Sequence, residues 1–82
     1  MWKMKSEKRL ARIERNVNDT APEELRLAPE DAGFVLGSIT ASHWIYWHPV
    51  RPQNLSVPYR RPLKPVYVRL ALQAIAEVTN ER

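Results

Sequence analysis

Ala28-Pro29-Glu30-Asp31-Ala32-Gly33-Phe34-Val35-Leu36-Gly37, continued by Ser38-Ile39-Thr40-Ala41-Ser42-His43-Trp44-Ile45-Tyr46-Trp47, is the stretch whose reading decides how this chain of 82 residues folds. Pro29 suits a first helical position, and Glu30 and Asp31 put negative charge beside the free amides of a helix start. A helix over residues 29–36 is therefore expected, with Ala32, Val35 and Leu36 as its buried stripe. Gly37 closes it by adopting a left-handed backbone, and Ile39 tucks into the corner. A second helix is expected from Thr40, whose hydroxyl caps the first amides, to Trp47 or His48, where Pro49 stops it. Trp44 and Trp47 stand three apart and share its buried face, leaving Ala41, Ser42, Ile45 and Tyr46 outward. Helix, glycine turn, helix is an order that lays its second helix in the major groove of DNA.

Upstream, Met4, Leu10, Ile13 and Val17 are apolar, and the 10, 13, 17 spacing puts the last three on one helical face opposite a basic one. This region, residues 1–19, reads as a helix that packs loosely on the domain or as a basic arm. Thr20, Pro22 and Glu23 suit a capped helical turn through Glu24 and Leu25. Downstream, residues 49–65 hold Pro49, Pro52, Pro58, Pro62 and Pro65, a density that excludes a helix or a central strand. Edge pieces at Leu55 to Val57 and Val66 to Val68 can pair as a hairpin with Tyr59, Arg60 and Arg61 at its tip, a positively charged wing. A polyproline-like segment that wraps a partner fits the same residues. A last helix is expected from about Arg69 to Val78, with Leu72, Ile75 and Ala76 as its stripe.

The formal net charge of +4 is unevenly distributed. Residues 1–15 carry net +4, residues 16–40 net −4 and residues 41–82 net +4, so two basic regions flank an acidic centre. Basic flanks favour a polyanion, although solvated surfaces carry such charge as well. The size allows one domain with a modest core. Without cysteine there is neither a disulfide nor a thiolate metal site, and the charged start carries no signal-peptide pattern, so a cytoplasmic setting is expected. The uncharged run from Ala32 to Trp47 is too short and too rich in hydroxyls to span a bilayer.

Chemistry-bearing clusters are sparse. His43 and His48, five apart, do not share a helix face and have no acid or thiolate to complete a metal site. Ser42 and His43 are chain neighbours whose side chains diverge on a helix, so they are not expected to act as nucleophile and base. No phosphate-cradling glycine loop occurs. Neither an enzyme nor a cofactor is expected.

Helix, glycine turn, helix, basic wing and closing helix is similar to the MerR-like winged helix-turn-helix group, which includes phage excisionases and small prophage regulators. Pro29 to Gly37 resembles that family's opening, Ile39-Thr40 its buried aliphatic and capping hydroxyl, and Val66-Tyr67-Val68-Arg69 the strand before its closing helix. The resemblance implies a mostly α fold with a small β-hairpin wing, residues 20–82 being a winged helix-turn-helix domain. It implies a sequence-specific, nucleoid-associated protein that binds double-stranded DNA in excision or transcriptional control, alongside an integrase or further copies of itself. The DNA-contacting residues would be Thr40, Ala41, Ser42, His43 and Tyr46 on the helix, with Arg51, Arg60, Arg61 and Lys64 on phosphates. A DNA-packaging accessory factor is one alternative. A protein-binding module, such as a phage inhibitor docking on a larger host complex through its prolines and aromatics, is another.

Overall fold

The computed structural model describes residues 2–40 and 42–79, with side chains from Glu7 onward. Met4, Lys3 and Lys5 as side chains, and Ala41 altogether, lie outside the described residues. Helix α1 (Trp2–Arg15) leads through a 3-10 turn at Val17–Asp19 to two short helices, α2 (Pro22–Leu25) and α3 (Leu27–Asp31). Strands β1 (Val35–Ile39), β2 (His43–His48) and β3 (Arg51–Pro58) follow, and α4 (Pro65–Thr79) closes the chain. The strands form one antiparallel sheet in the order β1-β2-β3.

The fold is thus mixed, with helices beside a small antiparallel sheet, and the helix-turn-helix expected over residues 29–48 is replaced by strands. Helix α3 ends at Asp31 and not at Leu36, because the left-handed glycine is Gly33, at φ 95°, and not Gly37. Gly33 N–H donates to the Glu30 carbonyl and Phe34 N–H to the Pro29 carbonyl, the paired bonds of a Schellman helix end. Past it the chain is extended. Residues 43–48, expected to be helical, contain Trp44, Ile45, Tyr46 and Trp47, whose aromatic rings and β-branch pack better on a pleated surface than around a helix.

Thr40 does not cap a helix. Its N–H donates to the His43 carbonyl at 2.9 Å and its Oγ1 donates to the same oxygen at 3.3 Å, which closes the β1–β2 hairpin. Thr20 does not cap one either: Ala21 occupies the cap position of α2, and the Thr20 hydroxyl is buried, donating to the Asn16 carbonyl at 2.8 Å. No wing forms from Leu55–Val57 and Val66–Val68. The first piece lies in β3 and pairs with β2, and the second belongs to α4, which begins four residues before the expected start. The exclusion of the proline-rich segment from a central strand agrees with the position of β3 at the sheet edge.

Alternation along β2 and β3 sorts the side chains. Tyr46, Leu55 and Val57 point to one face and are buried with Val68, Ala71 and Ile75 of α4 and with Leu25 and Ala28 of the short helices. Ile13 of α1 reaches the same core, with Leu10 and Val17 packed beside it, as the helical spacing indicated. The basic side of α1 is tied down by Arg9 to Asp31 and by Arg12 to Glu24. Among the described residues no helix packs on the other face of the sheet, and there Val35 and Trp47 remain exposed.

Candidate nucleic-acid interface

Two segments expected to contact a ligand meet at one end of the sheet. The β1–β2 turn presents Thr40, Ser42 and His43, all exposed. Beside it, β3 runs out past Pro58, which pairs with His43, and Tyr59 N–H donates to the Ser42 carbonyl at 2.8 Å. That bond fixes the start of the Tyr59–Lys64 segment against the turn, so Arg60 follows directly from the hairpin end.

The segment is anchored through its aromatic and one of its cations. The Tyr59 ring packs on Trp44 with centroids 5.4 Å apart, and the Arg26 guanidinium lies 4.9 Å from the Trp44 ring centre. Glu23 accepts from Tyr59 Oη at 3.2 Å and is ion-paired with Arg61. The Glu23 carboxyl is held below its ordinary value, first by its own backbone amide at the start of α2 and then by Tyr59 and Arg61. Leu63 is buried beneath the segment. Arg60 and Lys64 are exposed and have no ion-pair partner among the described residues.

Ser42 and His43, expected to diverge, instead lie within hydrogen-bonding distance, with Ser42 Oγ 3.1 Å from His43 Nδ1. The correction has a simple cause. At a hairpin end the two residues sit in turn and first strand position, not 100° apart on a helix. The contact occupies one ring nitrogen and leaves Nε2 without a hydrogen-bond partner among the described residues.

Three other expected contacts are not free at this surface, two of them because they lie elsewhere and Arg61 because it is engaged. Tyr46 is fully buried, donating to the Arg26 carbonyl at 2.9 Å, and burial pushes its phenol up to about 12, so it cannot meet a base edge. Arg51 lies at the opposite end of the β2–β3 pair, bound to Glu77 of α4 at 2.7 Å and to the Gln53 carbonyl at 2.7 Å. Arg61 is engaged with Glu23. Trp47 and Tyr59, by contrast, were absent from the expected site. A period of two through His43-Trp44-Ile45-Tyr46-Trp47-His48 separates Trp44 from Trp47, but both sets are apolar, so no sequence signal says which faces outward.

Charge reinforces the geometry. Between Asp31 and Glu77 the chain contains no acidic residue, so the whole sheet and the Tyr59–Lys64 segment are free of negative side chains. Among the described residues no group of acids and histidines could hold a metal ion, and no helix is long and apolar enough to cross a membrane. A cleft between α1 and α2, lined by Arg12, Asn16, Thr20 and Glu24, shares no residue with the hairpin end. No family model, no curated protein and no solved structure matches this chain.

Proposed function

We propose that this protein is a small nucleic-acid-binding domain whose contact surface is the hairpin end formed by Thr40, Ser42 and His43 together with Arg60, and extended by Lys64. The observation that carries the reading is the convergence of Thr40, Ser42, His43 and Arg60 at one end of a sheet whose strands contain no acid, with Lys64 further along the segment that leaves it. Arg60 and Lys64 supply charge for phosphate oxygens, and Ser42 supplies an exposed hydroxyl. Insertion of a helix into the major groove of double-stranded DNA, the contact implied for excisionases and regulators, has no helix over residues 40–47 to perform it. Contact is made by turn and strand instead, and phosphate and sugar dominate it.

The test is a titration of labelled duplex and single-stranded oligonucleotides, both DNA and RNA, at two salt concentrations. Wild-type protein binds at least one of them with an affinity that falls as salt rises. Arg60→Ala combined with Lys64→Ala lowers the salt slope by about two. Absence of binding to every oligonucleotide at low salt would overturn the reading.

The Ser42–His43 contact favours a second reading on the same surface. In the tautomer whose Nδ1–H donates to Ser42 Oγ, His43 Nε2 carries a lone pair able to accept the proton of an RNA 2′-hydroxyl. That oxygen attacks the adjoining phosphorus and the 5′ oxygen leaves with a proton from water, giving a 2′,3′-cyclic phosphate. Incubated RNA from the same titration reports it: His43→Ala loses cleavage even at protein concentrations that saturate the RNA, and intact RNA with wild-type protein excludes it.

A further inference from the structure

The face of the sheet that no helix covers has a composition of its own. On β2, His43, Ile45 and Trp47 point to it, spanning about 13 Å at roughly 3.3 Å per residue. Ser38 and Ser56 flank Ile45 on the neighbouring strands, and Val35 flanks Trp47. At one end this row begins at the hairpin end that carries Arg60. At the other end stands Trp47, 46% exposed. Its cross-strand partner Val35 is equally exposed, so the two form a contiguous apolar patch, the kind of surface that marks an interaction site.

Gly37 determines how the indole sits. A β-carbon added there would stand 3.3 Å from Trp47 Cδ1 and 3.9 Å from Nε1, so the pyrrole edge of the ring rests on bare backbone. The register of β1 against β2 shifts between Leu36 and Ser38, a bulge centred on this glycine. The indole is therefore supported from below by the sheet and open above.

We infer that this open face binds a single-stranded nucleic acid, with one base stacked on Trp47 and the strand running along the His43–Ile45–Trp47 row toward Arg60. The inference rests on the nucleic-acid reading of the hairpin end and adds the form of the ligand. A duplex hides its base faces within its own stack, so an exposed aromatic on a flat sheet offers it nothing, whereas an unpaired base gains a partner. At the hairpin end Arg61 offsets Glu23, and Arg60 has no ion-pair partner among the described residues; with no acid on the three strands, this charge favours a polyanion over an acidic-rimmed protein docking surface. Serines flanking the row supply hydrogen bonds that do not depend on base identity, so stacking favours single strands broadly over any one sequence.

The experiment compares a twelve-nucleotide oligothymidylate with a duplex of equal length, using wild type, Trp47→Ala, Trp47→Phe and the combined Arg60→Ala, Lys64→Ala variant. Wild type favours the single strand. Trp47→Ala loses roughly ten- to a hundredfold in single-strand affinity, the loss measured when one stacking aromatic is removed, and Trp47→Phe retains most of it. Duplex affinity is the same in all three Trp47 forms. Single-strand affinity unchanged in Trp47→Ala while the arginine–lysine variant is weakened would overturn the stacking inference and leave the phosphate reading standing. No binding of either oligonucleotide by wild type would remove both. A dimer in sedimentation that Trp47→Ala dissolves, with no single-strand binding, would assign the face to a second copy of the chain.

Discussion

The two faces of strand β2 come from the same six residues and have opposite fates. Trp44, Tyr46 and His48 point to the helices: Tyr46 is fully buried, Trp44 lies between Arg26 and Tyr59, and His48 packs edge-on against Phe34 with ring centres 5.0 Å apart. His43, Ile45 and Trp47 point away from every helix. The difference teaches that residue type alone does not separate core from site here, since each face holds one tryptophan and one histidine. What separates them is which face the helices cover, and the sheet period of two assigns each residue to its face.

The sharpest way to break this comparison is truncation on each side. Tyr46→Ala should cost about 4 kcal/mol in denaturant unfolding, because it empties a core position and removes the bond to the Arg26 carbonyl. Ile45→Ala and Trp47→Ala should each cost under about 1 kcal/mol, as surface changes do. Equal costs on the two faces would show that the outer one is buried against something.

Alkaline titration sharpens the same contrast. Because the folded protein holds the Tyr46 phenol up to about 12, above the ordinary tyrosine value of about 10, the folded state keeps a proton that the unfolded state loses. Its contribution is therefore complete below about pH 10 and declines as pH rises through 10 toward 12, by up to about 2–3 kcal/mol. Tyr46→Phe should flatten the stability profile in that range, and an unchanged profile would place the phenol in contact with water.

The glycines form a second pair. Gly33→Ala places a side chain at φ 95° and 3.2 Å from His48 Nε2, so it should cost about 1–2 kcal/mol. Gly37→Ala has no such backbone strain and meets the Trp47 ring closely and the Ile45 carbonyl at an ordinary 3.6 Å, so its stability loss should be smaller while Trp47 emission shifts. Reversal of that order would mean that Gly37 is the structural glycine.

The smallest effect concerns the two ends of the sheet. Arg51→Ala removes an ion pair with an exposed Glu77 and should change stability by under about 1 kcal/mol and leave nucleic-acid affinity near wild type. Arg60→Ala should do the converse, leaving stability unchanged and weakening binding.

The helical spacing of Leu10 and Ile13 located the inner face of α1, which stops at Arg15 and leaves Val17 to a 3-10 turn that still packs on the core, and proline density marked β3 as an edge. The apolar run through residues 43–48 misled, because Trp44 and Trp47 fit a helical i, i+3 pair as readily as opposite faces of a strand. Two glycines four apart compounded the error, since either can end a helix and only tertiary packing shows that Gly33 does. That Thr40, Ser42, His43 and Arg60 lie exposed and close together agrees with the sequence reading, because polar turn residues stay at the surface whichever secondary structure flanks them. Tyr46 and Arg51 were not, because burial and the Glu77 partner arise from elements distant in sequence.

Amide chemical-shift mapping during titration with a short single-stranded oligonucleotide tests the central claim most directly. Shifts confined to Thr40–Trp47 on β2 and its turn, to Ser38 and Ser56 beside it, and to Tyr59–Lys64 are the predicted result. Shifts centred on α4 and the Arg51 end, or none at saturating oligonucleotide, would contradict it.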